Sequence, residues 1–113
     1  MSKLASQQPA LNPAPIFAAL GDATRLHLLV RLSDGRQHSI GQLSTGLELS
    51  RQGVTKHLQV MEEVGLVVST RIGRENRFHY VPESMAPVQT YLQQVSQQWD
   101  EAIERLKTLV EAE

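Results

Sequence analysis

The sequence contains no cysteine. This absence excludes disulfide bonds, thiolate metal sites and thiol-based redox sensing. The sequence also lacks a run of about 18 apolar residues, so we expect no membrane-spanning helix. Residues 1–15 do not show a basic start followed by an apolar stretch, so we expect no secretory signal. Together these absences predict a cytoplasmic protein.

Enzyme motifs are also missing. There is no Gly-rich phosphate loop, no nucleophile elbow, no Cys–His pair and no pair of catalytic carboxylates with a supporting histidine. Ser50 and His57 are seven positions apart on one predicted helix, but no acid is placed to orient the histidine. Because Ser50 is better explained as a helix cap, the sequence predicts neither an enzyme nor a cofactor.

The length and composition indicate one folded domain. The 113 residues are 41% hydrophobic and 20% charged, which is ordinary for a globular protein. Residues 1–12 are rich in Ser, Gln, Asn and Pro and predict a flexible N-terminal tail. The folded domain is therefore expected over residues 13–112.

Charge is unevenly distributed, although the formal net charge is only −1. Residues 1–82 carry nine Lys and Arg against six Asp and Glu, whereas residues 83–113 carry two against six. Such asymmetry is typical of a protein with one face for nucleic acid. A C-terminal helix with a solvated acidic side explains the same numbers, so charge alone leaves both interpretations open.

Two helices are predicted near the N-terminus. Pro13 and Pro15 favour the start of a short helix, and Gly21 ends it. Asp22 then serves as the N-cap of a second helix, which ends at the turn after Ser33. The apolar face of the second helix is expected to contain Leu26, Leu29, Val30 and Leu32.

Two further helices are joined by a tight turn. Ser39 with Gln42 three residues later forms the pattern of a capping box, and Gly46 ends this third helix. Ser50 caps the fourth helix, and Gly65 is placed to end it. The apolar residues of the fourth helix recur at helical spacing on one face: Val54, Leu58, Met61 and Val64.

Two β-prone runs follow, at residues 66–71 and 77–81. Residues 72–76 between them contain Gly and Asn, as expected of a hairpin loop. Two helices joined by a tight turn and followed by a hairpin predict a winged helix-turn-helix. The expected fold is mainly α with a small β-hairpin, in the order α-α-α-α-β-β-α.

The fourth helix carries residue types that suit DNA on the sides left free by its apolar face. Arg favours the guanine edge, Gln the adenine edge, and Lys and Thr suit phosphates or base edges. An ordinary helix with a solvated face is the alternative, which the neighbouring helix and hairpin disfavour. The expected DNA-contacting residues on the third and fourth helices are Ser39, Gln42, Ser50, Arg51, Gln52, Thr55, Lys56 and His57.

The hairpin adds Arg71, Arg74 and Arg77 to the predicted DNA-binding residues. Such a wing can cross the DNA backbone or enter the minor groove. A charged loop that prevents edge-to-edge aggregation is the alternative. Glu75 offsets part of the charge, so we expect Arg74 to contribute most.

A last helix is predicted from about Pro87 to Glu111. Its apolar residues recur at intervals close to a heptad, and a single chain of this size has little to cover them. We call them the seam residues: Val88, Leu92, Val95, Trp99, Ile103, Leu106 and Val110. The seam predicts a homodimer, and Trp99 is better explained by packing in its interface than by a small-molecule pocket.

Four stretches resemble the ArsR family of bacterial repressors. They are residues 17–25 (FAALGDATR), 50–58 (SRQGVTKHL), 61–66 (MEEVGL) and 71–74 (RIGR). They occur in the family's order, and the resemblance extends over about residues 13–112. It implies a homodimer that pairs through its first and last helices, binds inverted-repeat double-stranded DNA and releases it on sensing a signal.

Further expectations follow from this resemblance, residue by residue. The base- and phosphate-contacting residues correspond to Arg51, Gln52, Thr55 and Lys56. His57 is placed either to contact a phosphate or to pack as a structural histidine. The first helix would bring Ile16, Phe17 and Leu20 to the dimer interface.

The sequence departs from the family's metal-sensing pattern. Many members bind metals through Cys pairs or through Asp and His on the last helix. This chain has no Cys, and none of its four histidines lies on the last helix. Asp100, Glu101 and Glu104 are better explained as a solvated face than as ligands, so no metal site is expected. The operator sequence and the small-molecule inducer that such regulators respond to are left open.

A winged helix that binds a protein instead of DNA is the remaining alternative. Such domains keep the fold and lose the basic face. Arg51, Lys56, Arg74 and Arg77 favour DNA binding. Salt dependence separates the two classes, because a DNA binder releases counterions from every phosphate that it neutralises.

Overall fold

A computed structural model describes residues 12–112. The predicted flexible tail, residues 1–12, lies outside the described residues except for Asn12. The chain divides into two compact units, one formed by residues 13–85 and the other containing the C-terminal helix.

Five α-helices and three strands make up the described part of the chain, together with a short 3-10 helix at Pro82–Met85. The predicted winged helix-turn-helix is confirmed, with one additional short strand before the third helix. The elements are α1 (Ala14–Leu20), α2 (Ala23–Leu32), β1 (His38–Ser39), α3 (Ile40–Ser44), α4 (Arg51–Glu63), β2 (Val67–Ile72), β3 (Glu75–Tyr80) and α5 (Ala86–Glu111).

Helix α2 begins at the predicted residue, but the face that it buries differs from the predicted apolar face. The Asp22 side chain accepts a hydrogen bond from the backbone N–H of Arg25, which confirms the N-cap. The buried residues are Leu28 and Leu32, four apart on one side of the helix. Leu26 and Val30 are exposed, so the prediction that they belong to the core face was wrong. Leu26 lies two positions before Leu28, and Val30 lies midway between Leu28 and Leu32. Two positions correspond to about 200° around a helix, so both side chains face away from the buried pair.

Helix α3 is held at its N-terminus by the predicted capping box. The Ser39 hydroxyl accepts from the Gln42 backbone N–H at 3.1 Å, and the Gln42 carboxamide accepts from the Ser39 N–H at 2.9 Å. Ser39 also belongs to β1, which pairs with β3. The buried Leu43 then packs α3 into the core beside α4.

Helix α4 has well-defined ends. The Ser50 hydroxyl accepts from the Gly53 N–H at 3.0 Å, and Val54, Leu58 and Met61 are buried, as predicted. At the other end Gly65 has a φ of +83°, which favours glycine. Its N–H donates to the Glu62 carbonyl, and the next N–H donates to the Met61 carbonyl, which forms a Schellman motif.

The wing is an antiparallel sheet in the order β1-β3-β2. Ile72 pairs with Glu75, so the turn consists of Gly73 and Arg74 alone. Gly73 has a φ of +63°, as in a type II′ turn with glycine in its first central position. The predicted five-residue loop over 72–76 was therefore too long, because Gly73 allows both strands to continue closer to the turn.

Helix α5 spans 26 residues. Val88 is its buried residue, whereas the other six seam residues are between 42% and 70% exposed. The seam residues therefore lie on a helix, as predicted, and most of them are exposed to solvent in the single chain. None of the helices in residues 12–112 is both long and apolar enough to cross a membrane.

Candidate nucleic-acid interface

Helix α4 presents polar side chains outside its buried face. Arg51, Gln52 and Lys56 are exposed and Thr55 is half-buried; these four residues form what we call the reading face. Across residues 12–112, the side chains of Arg51, Gln52 and Lys56 have no hydrogen bond or ion pair with the rest of the chain. Their donors and positive charges are therefore free to contact another molecule.

Several hydroxyl and amide side chains that we predicted to contact DNA form hydrogen bonds within the chain. Ser50, Ser39 and Gln42 cap their helices, as described above. The Thr55 hydroxyl donates to the Arg51 carbonyl at 2.7 Å. Each of these side chains keeps some hydrogen-bonding capacity, but its orientation is set by the backbone that it caps.

The three arginines of the wing do not share one face of the hairpin. Arg74 lies in the tight turn. Arg71 pairs with Asn76, and Arg77 pairs with Thr70, so the alternation of the strands places them on opposite faces of the hairpin. Arg77 donates to the Glu75 carboxylate at 3.1 Å. Within the described residues Arg74 has no ion pair, so its charge is not offset by Glu75.

An open polar cavity of about 210 Å³ lies between α3, the first residue of α4 and the wing turn. It brings together Ser39, Arg51 and Arg74, which sequence reasoning assigned to DNA binding from three separate elements. It also includes Gly41 and Asn76, which sequence reasoning missed. Ile40 and Glu75 complete its lining.

A second group of polar side chains connects α4 to the N-terminal helices. Nη1 of Arg25 lies 3.1 Å from Nδ1 of His57, and the Arg25 Nε–H donates to the Ala19 carbonyl. The Asp22 carboxylate lies 3.9 Å from the same imidazole nitrogen. The hydrogen bond from the Arg25 backbone N–H lowers the pKa of Asp22 below its usual range. His57 thus has structural partners, which favours the second of its two predicted roles.

Known proteins share this architecture. Residues 20–70 match the helix-turn-helix domain family. An uncharacterized HTH-type transcriptional regulator of Bacillus subtilis, YuzN, is 39% identical over 69 residues, which cover 56% of this chain and 75% of that protein. An ArsR-like transcriptional regulator from Rhodococcus sp. RHA1 is 33% identical, covers 85% of this chain and 90% of its own, and superposes with a TM-score of 0.70.

This chain belongs to the ArsR family of transcriptional regulators. A fold neighbour at 23% identity is the homodimeric winged helix-turn-helix DNA-binding domain of a Mycobacterium bovis protein. Its TM-score is 0.62, with 88% of this chain and 89% of the neighbour covered. The relatives named above are described as transcriptional regulators.

The remaining predicted residues of this ArsR-family chain lie in α1 and α5. In α1, Ile16 is 6% exposed and Phe17 is 39% exposed, so Phe17 offers more surface to a partner than Ile16 does. Leu20 is half-buried. Within residues 12–112, no three His, Asp or Glu side chains are grouped to hold a metal ion.

Proposed function

We propose that this ArsR-family regulator represses transcription by binding an inverted-repeat operator as a homodimer. The observation that carries the proposal is the reading face, whose free Arg51, Gln52 and Lys56 lie on a capped helix beside the wing. In a helix-turn-helix the second helix enters the major groove and its N-terminal residues contact base edges. Bound at a promoter, such a dimer blocks access of the polymerase.

The side chains of the reading face suit different parts of the DNA. The Gln52 carboxamide is suited to the N6 and N7 edge of adenine, and the Lys56 ammonium is suited to phosphates. The Ser50 cap leaves the first turn of α4 with N–H groups that favour a nearby negative charge. Arg74 at the wing turn extends the contact to the neighbouring backbone.

Dimerisation through α5 supports this proposal in two ways. Covering the exposed seam removes apolar surface from water. In two-fold helix-turn-helix dimers the DNA-reading helices lie about 34 Å apart, the spacing of successive major grooves, and we expect the same of the two copies of α4. The homodimeric Mycobacterium bovis neighbour has the same fold, which favours this arrangement.

We also infer where this regulator works and how it is controlled. A repressor of this kind works in the cytoplasm, where chromosomal DNA is accessible. Release of the operator on binding a small-molecule inducer completes the regulatory cycle that the family resemblance implies. The inducer is left unassigned.

A random-sequence binding selection with the purified full chain tests the proposal. We expect enrichment of one inverted-repeat sequence, and we expect the enriched DNA to be bound by a dimer. Selection with the Gln52→Ala variant serves as a matched comparison on the same helix, and it should enrich a less defined sequence. No enrichment above background with the wild type, or binding unaffected by salt, would instead indicate a protein-binding winged helix.

A further inference from the structure

The polar cavity joins three parts of the DNA-binding unit that are distant in sequence. Ser39 and Gly41 come from the start of α3, Arg51 is the first residue of α4, and Arg74 lies in the wing turn. Its volume is about 210 Å³. A ligand seated there would contact the helix-turn-helix and the wing together.

Gly41 makes room for the Arg51 side chain. A β-carbon on Gly41 would lie 3.1 Å from Nη2 of Arg51 and 3.5 Å from its Cζ. The guanidinium group therefore lies directly against Gly41 of α3, and both residues line the cavity. Glycine within a helix is unfavourable relative to alanine, so this close approach gives a physical reason for its presence.

The cavity carries an excess of positive charge. Over residues 12–112, neither Arg51 nor Arg74 pairs with a carboxylate. The carboxylate in the cavity lining, that of Glu75, accepts from Nε and Nη2 of Arg77 at 3.3 and 3.1 Å. Two free guanidinium groups with the hydroxyl of Ser39 nearby are the donors that a phosphate group prefers.

We propose that this cavity holds one phosphate of the DNA backbone, with Arg51 and Arg74 as its two cationic ligands. Arg51 is then a phosphate-binding residue and not a base-reading one, which changes the role that the sequence favoured for it. Gly41 is a positioning residue that sets the direction of the Arg51 side chain. The inference rests on the proposed DNA binding and deepens it.

Phosphate contacts fix the position of a protein on the duplex, and base contacts supply its sequence preference. A phosphate held between α4 and the wing fixes both elements on the same strand. Sequence preference then depends on the residues of the reading face that follow Arg51, in particular Gln52.

A methylphosphonate scan of the selected operator tests the proposal directly, because each substitution removes the charge of one phosphate. Besides the phosphate that Lys56 contacts, we expect one position in each half-site where neutralisation weakens wild-type binding about tenfold, the effect of losing one charge-assisted contact. The Arg51→Ala variant should bind every single-base variant of the operator more weakly than the wild type does, by the same factor in each case. At the sensitive position it should lose little further affinity, and its salt dependence should fall by about one unit of slope.

Gly41→Ala probes the positioning role without removing a donor. We expect this variant to keep the wild-type melting temperature or exceed it, to bind the operator several-fold more weakly, and to add nothing to the loss caused by Arg51→Ala. Unchanged affinity would overturn the positioning role. The Arg51→Ala scan tests the phosphate assignment independently, including in the case that Gly41→Ala does not fold.

Two results would overturn the phosphate assignment while leaving the proposed function intact. One is a relaxed preference at a single base pair in Arg51→Ala with an unchanged salt slope. The other is a scan without any sensitive position, combined with thermal stabilisation of the wild type, but not of Arg51→Ala, by inorganic phosphate. That combination would assign the cavity to free phosphate. Failure of the wild type to select any DNA would instead refute the proposed function itself.

Discussion

Nδ1 of His57 accepts a hydrogen bond from Nη1 of Arg25 at 3.1 Å. A guanidinium group can only donate, so Nδ1 is the acceptor in this contact. The same arginine donates through Nε to the carbonyl of Ala19, near the end of α1. One side chain of α2 therefore connects helix α4 to the N-terminal helices.

Replacement of Arg25 by alanine should destabilise the fold. Two hydrogen bonds from a charged donor are lost, and the His57 nitrogen and the Ala19 carbonyl lose their partner. We expect the free energy of unfolding to fall by about 1–3 kcal/mol, measured by urea denaturation. Arg36→Ala is the matched control, since Arg36 is exposed and, in the described part of the chain, only its backbone N–H forms a hydrogen bond. Equal stability of the two variants would show that Arg25 contributes no more than a surface charge.

Asp22 gives a pH-dependent contribution to stability. The hydrogen bond from the Arg25 backbone N–H lowers the pKa of this carboxyl in the folded chain. The stabilisation is therefore complete above the unfolded pKa and is lost as the pH falls through the folded pKa. Between about pH 5 and pH 3 the wild type should lose more stability than Asp22→Asn, which keeps a capping side chain without a titrating group. Parallel pH profiles of thermal unfolding for the two proteins would contradict this account.

Local sequence signals determined much of the fold. Asp22, Ser39 and Ser50 were identified as caps because each is a short polar residue that precedes an apolar helical period, and each accepts the expected backbone hydrogen bond. The two-residue strand β1 was not predicted. It is too short to show a period, and its pairing with β3 depends on residues almost forty positions away.

The candidate site was only partly predictable. The reading face and the wing arginines follow from residue type and helical spacing. The contact between Gly41 and Arg51 could not be predicted, because a glycine in a short helix gives no sign of what lies against it. Arg25 was missed for the same reason: its partners, Ala19 and His57, are brought together only by tertiary packing.

Gln52 and Lys56 should have different effects on DNA binding. Gln52→Ala is expected to relax the preference at one position of each half-site by about 1–3 kcal/mol. Lys56→Ala is expected to weaken binding evenly across operator variants and to lower the salt dependence by about one unit of slope. Competition binding with single-base operator variants separates these outcomes, and Gln97→Ala on α5 serves as the control. Identical specificity profiles for all three variants would exclude Gln52 as a base-contacting residue.

The oligomeric state depends on the seam of α5. Trp99→Glu places a charge among exposed apolar residues that we expect to face a partner chain, so it should convert a dimer to a monomer. Gln97→Glu makes a comparable change on the opposite side of the helix and should leave the dimer intact. Sedimentation equilibrium at micromolar concentration distinguishes the two. A monomeric wild type, or a dimeric Trp99→Glu, would refute the proposed interface.

The proposed function depends on sequence-specific DNA binding through α4. Equilibrium binding of the wild type to its selected operator and to a scrambled duplex, from about 50 to 200 mM salt, tests it most directly. We predict a preference of at least about 10³ for the operator and an affinity for both duplexes that falls steeply with salt. Equal affinity for the two duplexes, or an affinity that does not change over this salt range, would contradict the claim.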